Sequence, residues 1–317
     1  MIAYARIVHK YGGIYISHIR NESGVGIIDS IREAIEIGKQ SGPVHLSQFR
    51  LYKPALGVTS DQLLELLYRA RQDGVNITAS QNPYHSIGGP LNAYFIGHLL
   101  SNMGHIPVHD GIKDISILTS LIEKIFQVFP PASILLTEHA VYAGKTIQDI
   151  ADIQSKDPVE VLVQIYTEAN STSVAAFTLS EKIMKELMAH DFVFTSSNGS
   201  LCIQDDKHHP RSFGSFPRKI RVYAIEQGLM SLSQAISSMT SRPADFLNLK
   251  NRGRIAEGYY ADLVIFDQNR LTDMLDYLSP NQYPQGIEHV IVNGKPIIKD
   301  GCPGDKLSGK PLTLNAH

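Results

Sequence analysis

The sequence predicts an α/β fold, a layered sheet or a barrel, followed by a small β unit. Strand candidates start near residues 13, 44 and 75 with amphipathic helices between them. This spacing of about 30 residues is typical of right-handed β-helix-β units in a parallel sheet. Near the carboxyl end, short strands flank Asn293-Gly294, a strong hairpin signal. The 317 residues, 43% of them apolar, are enough to bury a core without disulfides or a metal.

The first third of the chain alternates helix and strand. An amphipathic helix comes first; it is expected to turn Ile2, Ala5, Ile7 and Val8 inward and to stop at Gly12-Gly13. The predicted strands are 13–18, 44–47 and 75–80. The helices between them start near Ile27 and at the N-cap pair Thr59-Ser60, and they end at glycines 38–42 and 74.

The rest of the chain is less regular. Helices are predicted at 114–128, 146–153, 158–170 and 216–249, and strands at 174–177, 192–195, 259–267 and 289–301. The polar stretch 302–317 is expected to be a loose tail. Alternating helices and strands followed by short strands favour an α/β unit with a β appendage.

Composition excludes several classes of protein. With 29 basic and 31 acidic residues the net charge is -2, so we expect no binding to nucleic acid or to an anionic membrane. No apolar run approaches the roughly 20 residues that span a bilayer. Cys202 and Cys302 form no CxxC motif, which predicts a reduced, cytoplasmic protein. Phosphate-binding glycine motifs and the GxSxG elbow are also missing from the sequence.

Polar residues follow the predicted parallel strands, where the active sites of such folds lie. His18 ends the first strand, Gln48 and Arg50 follow the second, Tyr84 follows the third, and Asn198 follows the strand at 192–195. A lone histidine at a strand end is about as often structural as it is a metal ligand. The basic loop 207–211 is either solvated or places Arg211 to grip a carboxylate.

Several segments together resemble the D-aminoacylase (N-acyl-D-amino-acid deacylase) branch of the amidohydrolase superfamily. The segments are YGGIYISHIRNES (11–23), EAIEIGKQSGPVHLSQFR (33–50), GKTIQDIADIQSKDPVE (144–160), HPRSFGSFPR (209–218), MTSRPADFLNLKNRGRIAEGYYADLVIFD (239–267) and QYPQGIEHVIVNGKPIIKDG (282–301). The resemblance runs from about residue 1 to residue 301.

The resemblance implies a metal-dependent (β/α)8 barrel with a small β-sandwich, and hydrolysis of the acyl amide of N-acyl-D-amino acids, a linear amide, by a zinc-activated water. It implies that His18 is the zinc ligand of the fifth barrel strand. Arg211 would hold the substrate carboxylate, and Tyr84 would line the pocket.

Three positions depart from the family pattern. Gln48 stands where the family has a metal-ligand histidine, and a neutral amide oxygen is a poor zinc ligand. Asn198 stands at the position of the catalytic aspartate, and an amide cannot carry the proton. Arg50 replaces the usual lysine, which keeps the charge but changes its donor geometry.

The family's His-x-His metal pair does not occur in these 317 residues. The resemblance therefore implies a partial barrel, strands five to eight, over residues 1–249, a β-sandwich portion over 250–301 and a loose tail over 302–317. A half barrel exposes two sheet edges, so we expect self-association or a companion amino-terminal half.

Two functions follow, and the sequence leaves both open. The chain is either an amidohydrolase acting on N-acyl-D-amino acids, or a catalytically inactive remnant that binds at most a ligand or a partner, as Gln48 and Asn198 suggest. A third, weaker reading is a scaffold that dimerises through its exposed edges.

Overall fold

The structure is a computed structural model that describes residues 1–24, 26–53, 57–101, 112–168, 172–199, 209–304 and 307–312. Cys202 and residues 207 and 208 of the basic loop 207–211 lie outside these residues, whereas His209, Pro210 and Arg211 are described. Among the helices that the structure describes, none is long and apolar enough to cross a membrane.

The strands form three separate sheets. They are β1 (Tyr15–His18), β2 (Val44–Ser47), β3 (Ile77–Gln81), β4 (Ile87–Pro90), β5 (Ile134–Glu138), β6 (Ser173–Ala176), β7 (Val193–Thr195), β8 (Leu263–Phe266), β9 (Ile287–Val292), β10 (Lys295–Lys299) and β11 (Cys302–Pro303). The sheet orders are β1-β2-β3-β7, β4-β6-β5 and β11-β10-β9-β8.

The helices connect the strands, and the first and second sheets carry helices packed against them. They are α1 (Ile2–Lys10), α2 (Gly26–Ser41), α3 (Ser60–Gln72), α4 (Ala93–Ser101), α5 (Ile115–Val128), α6 (Ile147–Gln154), α7 (Pro158–Glu168), α8 (Glu181–Met188), α9 (Arg211–Arg218), a π-helix (Lys219–Glu226), α10 (Leu232–Ser237) and α11 (Ser241–Phe246). A 3-10 turn, Pro131–Ser133, precedes β5.

The first sheet is parallel throughout, which confirms the α/β fold predicted from strand spacing. Alternate residues of β2 point to opposite faces: Val44 and Leu46 pack against the helices, whereas His45 points to the other face and bonds Thr78 and Ser80 of β3. Because the strands run in one direction, their carboxyl ends share one edge. The candidate site lies at that edge.

The helix-covered face of this sheet carries the first core. Ile31 from α2, Leu63 and Leu67 from α3, and Leu46 and Ile77 from the strands have no exposed surface. Each such side chain stabilises the fold by about 1.5–3 kcal/mol relative to leaving it in water. The capping box of Thr59 and Gln62 fixes the start of α3.

The sequence did not predict the second sheet as a separate unit. Strands β4, β6 and β5 pair antiparallel and pack on α5, α6 and α7 around a core of their own. The segment Ile87–Pro90 contains two glycines and a proline, so it resembles a turn. It can nevertheless be a strand because it lies at the sheet edge, where proline is tolerated.

The third sheet is an antiparallel meander with the predicted hairpin. Asn293 and Gly294 have φ values of 50° and 76°, the left-handed pair that a type I′ turn requires. Ser308 hydrogen-bonds to this hairpin, since its carbonyl accepts from Asn293 Nδ2 and its hydroxyl donates to Val292 O, both at 2.8 Å.

Three sequence predictions are corrected. The segment 302–317 is not a loose tail throughout, because Cys302–Pro303 pairs with β10 as β11 and Ser308 bonds the hairpin. Ile7 and Val8 of α1 do not face inward, because their exposed fractions are 57% and 43%. The predicted helical stretch 216–249 is interrupted: α9 continues directly into the π-helix, and α10 and α11 follow as separate short helices. Pro217 lacks an amide hydrogen and Gly228 has a φ of 62°, so the chain changes to a π-helix after the first and leaves the helix at the second.

Candidate functional site

A cleft of about 300 Å³ opens where β1 and β2 end. It collects five of the six residues predicted from the sequence. Its walls are His18, Gln48, Arg50, Ile87, Gly88, Gly89, Pro90, Phe95, His98, Asn198 and Arg211. Residues 150 positions apart and more in the chain therefore meet, as expected for strand ends of one parallel sheet.

A buried carboxylate that the sequence analysis missed organises one wall. Glu22 is 2% exposed. Its Oε1 contacts Nε2 of His18 at very short range, and its Oε2 accepts a hydrogen bond of 2.8 Å from Nε of Arg50. The signal was available in the sequence, because a glutamate four residues after a strand-end histidine is within reach of the same edge.

Charge determines the ionisation of Glu22. Burial alone would raise its pKa, but the positive charge of Arg50 and the hydrogen bond from His18 outweigh burial and lower the pKa below 4.5. The carboxylate therefore remains ionised and fixes both side chains. Arg50, itself 5% exposed, keeps its Nη1 buried with no hydrogen-bond partner in the structure.

Gln48 and Asn198, the two amide residues that depart from the family pattern, both have a left-handed backbone conformation. Gln48 has a φ of 60° and Asn198 a φ of 48°. Such left-handed residues cost conformational energy and concentrate at functional sites. The Oε1 of Gln48 is buried without a partner. The backbone carbonyl of Asn198 accepts a hydrogen bond of 2.9 Å from Nε of Arg211.

Arg211 begins α9 and forms no ion pair with any residue that the structure describes. Burial first, and then the positive charge of Arg50, lower its pKa to about 10. A guanidinium at this pKa is still charged at neutral pH. The cleft therefore contains a cation that has no anionic partner among the residues that the structure describes.

The uncharged side chains of His209, Ser86 and Tyr277 form a hydrogen-bonded network that supports the backbone of Arg211. The backbone N–H of Arg211 donates to Nδ1 of His209 at 3.1 Å, so the proton of the neutral ring is on Nε2, which donates to Oγ of Ser86 at 2.8 Å. Oγ of Ser86 also bonds the hydroxyl of Tyr277 at 2.6 Å. Burial and the Arg211 charge lower the pKa of His209 well below its usual value, which keeps the ring neutral.

The structure does not bring Tyr84 into the cleft wall. Tyr84 is 2% exposed, and its hydroxyl donates to Oδ2 of Asp273 at 3.3 Å. Burial and the Asp273 charge raise its pKa. The ring packs edge-on against His209, with centroids 5.2 Å apart, and under the guanidinium of Arg218. It therefore supports the network behind Arg211.

A second cavity of about 240 Å³ adjoins the cleft and shares Arg211 and the strand β4 with it. Its remaining wall comes from Thr137, Ser173 and Tyr277 among others. The Arg211 guanidinium thus lies between two spaces that could take different ends of one ligand.

The residues of the cleft do not fit a zinc ion. Over the described residues no group of three His, Cys, Asp or Glu side chains comes together as a metal site would require. Nε2 of His18 is already engaged by Glu22, the second family position holds the amide of Gln48, and two guanidiniums line the same space. A cation would meet like charge here, whereas an anion would be attracted.

Comparison with known proteins agrees with the resemblance seen in the sequence. Residues 127–298, more than half of the chain, match the model described as the amidohydrolase family. An N-acyl-D-glutamate deacylase of Alcaligenes xylosoxydans xylosoxydans is 28% identical over 95% of this chain and 55% of its own length. A D-aminoacylase of the same organism is 24% identical over 91% of this chain and 65% of its own length.

Solved structures show the same fold. The crystal structure of a D-aminoacylase superposes with a TM-score of 0.72 at 24% identity, over 96% of this chain and 57% of that one. An N-acyl-D-glutamate deacylase from Bordetella bronchiseptica, solved with zinc and a phosphonate mimic of the tetrahedral intermediate, gives 0.71 at 25% identity, over 96% and 57%. The chain spans between half and two thirds of the length of these relatives.

Proposed function

Because the chain belongs to the amidohydrolase family, we propose that its cleft binds N-acyl amino acids through their carboxylate. The observation that carries this proposal is Arg211, a charged guanidinium in the cleft wall with no ion pair to a described residue. Arginine binds a carboxylate through two parallel hydrogen bonds, which makes it the best side chain for this ligand group.

The rest of the cleft is consistent with a small neutral body attached to that carboxylate. Glu22 already compensates Arg50, so a ligand with one negative charge balances Arg211. Ile87, Pro90 and Phe95 supply apolar wall. A volume of about 300 Å³ is at the lower end of the range for small-molecule pockets.

We propose further that the described residues bind this ligand without hydrolysing it. Hydrolysis of an amide needs an activated water and a group that transfers a proton to the leaving amine. The carboxamide of Asn198 cannot transfer that proton, and the cleft side chains do not form a metal site. The chain on its own is then a binding protein derived from a hydrolase.

Deacylation with a zinc-activated water is the second candidate. It is favoured by the similarity to deacylases along nearly the whole chain, one of them solved with zinc. On this proposal the metal-binding groups would come from a companion amino-terminal half or a second copy. Zinc would supply a water of lowered pKa when bound.

The same proposal gives the architecture. The parallel sheet would be strands five to eight of a (β/α)8 barrel within residues 1–249, and β8, β9 and β10 within 250–301 would be part of a β-sandwich, to which β11 at the start of 302–317 adds a short strand. The parallel order β1-β2-β3-β7 supports this. Ile16 on the edge strand β1 is 53% exposed, which supports association at that edge. The widely separated cysteines support a reduced cytoplasmic setting.

Calorimetric titration with N-acetyl-D-methionine, which carries one negative charge, tests the binding proposal. N-acetyl-D-glutamate, which carries two, should bind more weakly because the second charge has no free cation to balance it in the described cleft. We expect Arg211→Met to weaken binding at least tenfold, since a hydrogen-bonded charge pair is lost. Arg20→Met is the matched control, because Arg20 is an exposed arginine paired with Glu33 away from the cleft. Equal affinities for wild type and Arg211→Met would refute the proposal.

Activity and association are measured on the same preparation. Incubation with zinc and each N-acetyl-D-amino acid, followed by detection of free amino acid, should give no turnover if the chain only binds. Turnover that tracks about one equivalent of bound zinc would replace the binding proposal by the second candidate. Sedimentation should show self-association, and a compact monomer at micromolar concentration would contradict it.

A further inference from the structure

We infer that Gln48 recognises the amide N–H of the bound N-acyl amino acid. This inference rests on the proposed function and adds a specificity-determining contact to it. In the family pattern this position holds a histidine that binds metal. In this chain, Gln48 would instead form a hydrogen bond to the ligand.

The first observation is the state of the Gln48 side chain. The residue directly follows β2, and it lines the cleft beside Arg50. Its Oε1 is buried and has no hydrogen-bond partner, although it belongs to a residue that is only partly buried. A buried acceptor without a donor is unfavourable, so a ligand that supplies an N–H is bound more tightly than one that does not.

The second observation is the left-handed backbone at Gln48, with a φ of 60°. Glycine would relieve this conformation, and a β-branched residue would worsen it. A glutamine held there is a strained residue at the wall of a cleft, which is where strain is retained for function. The strain also directs the design of the test, because the replacement must be unbranched.

The third observation is the set of polar groups that line the cleft. Arg211 offers two parallel donors for a carboxylate, Gln48 offers an acceptor, and Arg50 has a buried Nη1 with no partner. An N-acyl amino acid carries a carboxylate, one amide N–H and one acyl carbonyl, in that order along its backbone. The cleft therefore offers one donor or acceptor group of the matching kind for each of these three ligand groups.

Paired ligands test the inference directly. N-acetyl-D-methionine and the (R)-2-acetoxy acid with the same side chain differ at one position only, where the first has an amide N–H and the second has an ester oxygen. We expect wild type to bind the amide about tenfold more tightly than the ester, the ratio that corresponds to one hydrogen bond to a buried polar group. Gln48→Met has nearly the same shape and no acceptor, so it should bind both ligands with similar affinity.

A matched control is available elsewhere in the chain. Gln154 at the end of α6 also has a buried Oε1 without a partner, but it does not line the cleft. Gln154→Met should therefore keep the tenfold preference for the amide. If Gln48→Met does not fold, as judged by circular dichroism, the wild-type ratio decides: equal affinity for amide and ester overturns the inference, and a tenfold preference supports it.

The Arg211→Met titration separates this inference from the proposed function. Suppose that Arg211→Met weakens the binding of both ligands. If wild type then binds amide and ester equally, or if Gln48→Met still prefers the amide, the inference about Gln48 is wrong and carboxylate binding by Arg211 stands. If Arg211→Met changes neither affinity, or neither ligand binds, the proposed function fails and the inference fails with it.

Discussion

Replacing Glu22 by glutamine should destabilise the chain more than any change to its exposed ion pairs. The substitution keeps the shape of the side chain but removes the negative charge that holds Arg50 and His18. Arg50 would then be a buried cation without an anion. The effect tests whether the cleft wall is organised by charge or only by shape.

The magnitude follows from the geometry. At an effective dielectric constant of about 20, opposite charges about 4 Å apart attract by about 4 kcal/mol. Removing one partner of a buried pair costs about 3–5 kcal/mol in proteins, because the remaining charge stays desolvated. We therefore expect Glu22→Gln to lower the free energy of unfolding by about 3–5 kcal/mol at pH 7.

Urea unfolding at 25 °C measures this difference, and the chain supplies a control. Arg20 and Glu33 form an ion pair with two hydrogen bonds, of 2.8 and 2.9 Å, but their side chains are 70% and 42% exposed. Glu33→Gln should cost only about 0–1 kcal/mol because water screens the pair. A Glu22→Gln variant within about 1 kcal/mol of wild type would refute the charge-based account of the wall.

The pH dependence gives an independent check on Glu22. Arg50 and His18 lower its folded pKa below the ordinary value of 4.5 against the opposing effect of burial. A lowered carboxyl pKa stabilises the folded state above about pH 4.5, and this contribution is lost as the pH falls below that value. The acid limb of stability should therefore be flatter in Glu22→Gln than in wild type.

Three further predictions concern other buried or strained groups. Burial lowers the pKa of His45 to about 4, so the free energy of unfolding should fall as the pH drops from about 6.5 towards 4. In His45→Gln this part of the pH dependence should disappear, and an unchanged pH dependence would contradict the burial argument. Burial, and then the charge of Arg242, lower the pKa of Lys219 to about 7, so stability should rise between about pH 7 and 10.5 in wild type and stay flat in Lys219→Met, as urea titrations at several pH values would reveal. Ser155 ends α6 with a φ of 51°, so Ser155→Gly should raise the midpoint of thermal unfolding by relieving about 0.5–1 kcal/mol of strain, and a lower midpoint would argue against strain.

Local sequence patterns predicted the elements that depend on nearby residues. The strands at 44–47 and 193–195 and the helix at 115–128 lie within a residue or two of the expected bounds. The Asn293-Gly294 turn was predicted because its two residues tolerate positive φ. In each case the decisive interactions span only a few positions along the chain.

The sequence also predicted which residues gather at the site, because one rule of parallel sheets brings strand ends to one edge. His18, Gln48 and Asn198, which lie at or just after the ends of three of the sheet's strands, line one cleft, whereas Tyr84, which follows another, does not. The family resemblance added the departures at Gln48 and Asn198. Neither source predicted Glu22, whose role depends on the burial of its carboxylate between His18 and Arg50.

By itself, the sequence determined the α/β alternation and the chemical types of the residues at the strand ends. Only the tertiary structure decided their electrostatic roles. Glu22 neutralises Arg50, Arg211 is charged without an ion pair to a described residue, and Tyr84 is buried outside the cleft wall. The reason is physical. Periodicity and turn preferences are properties of short segments, whereas desolvation and ion pairing depend on distances between groups that only folding brings together.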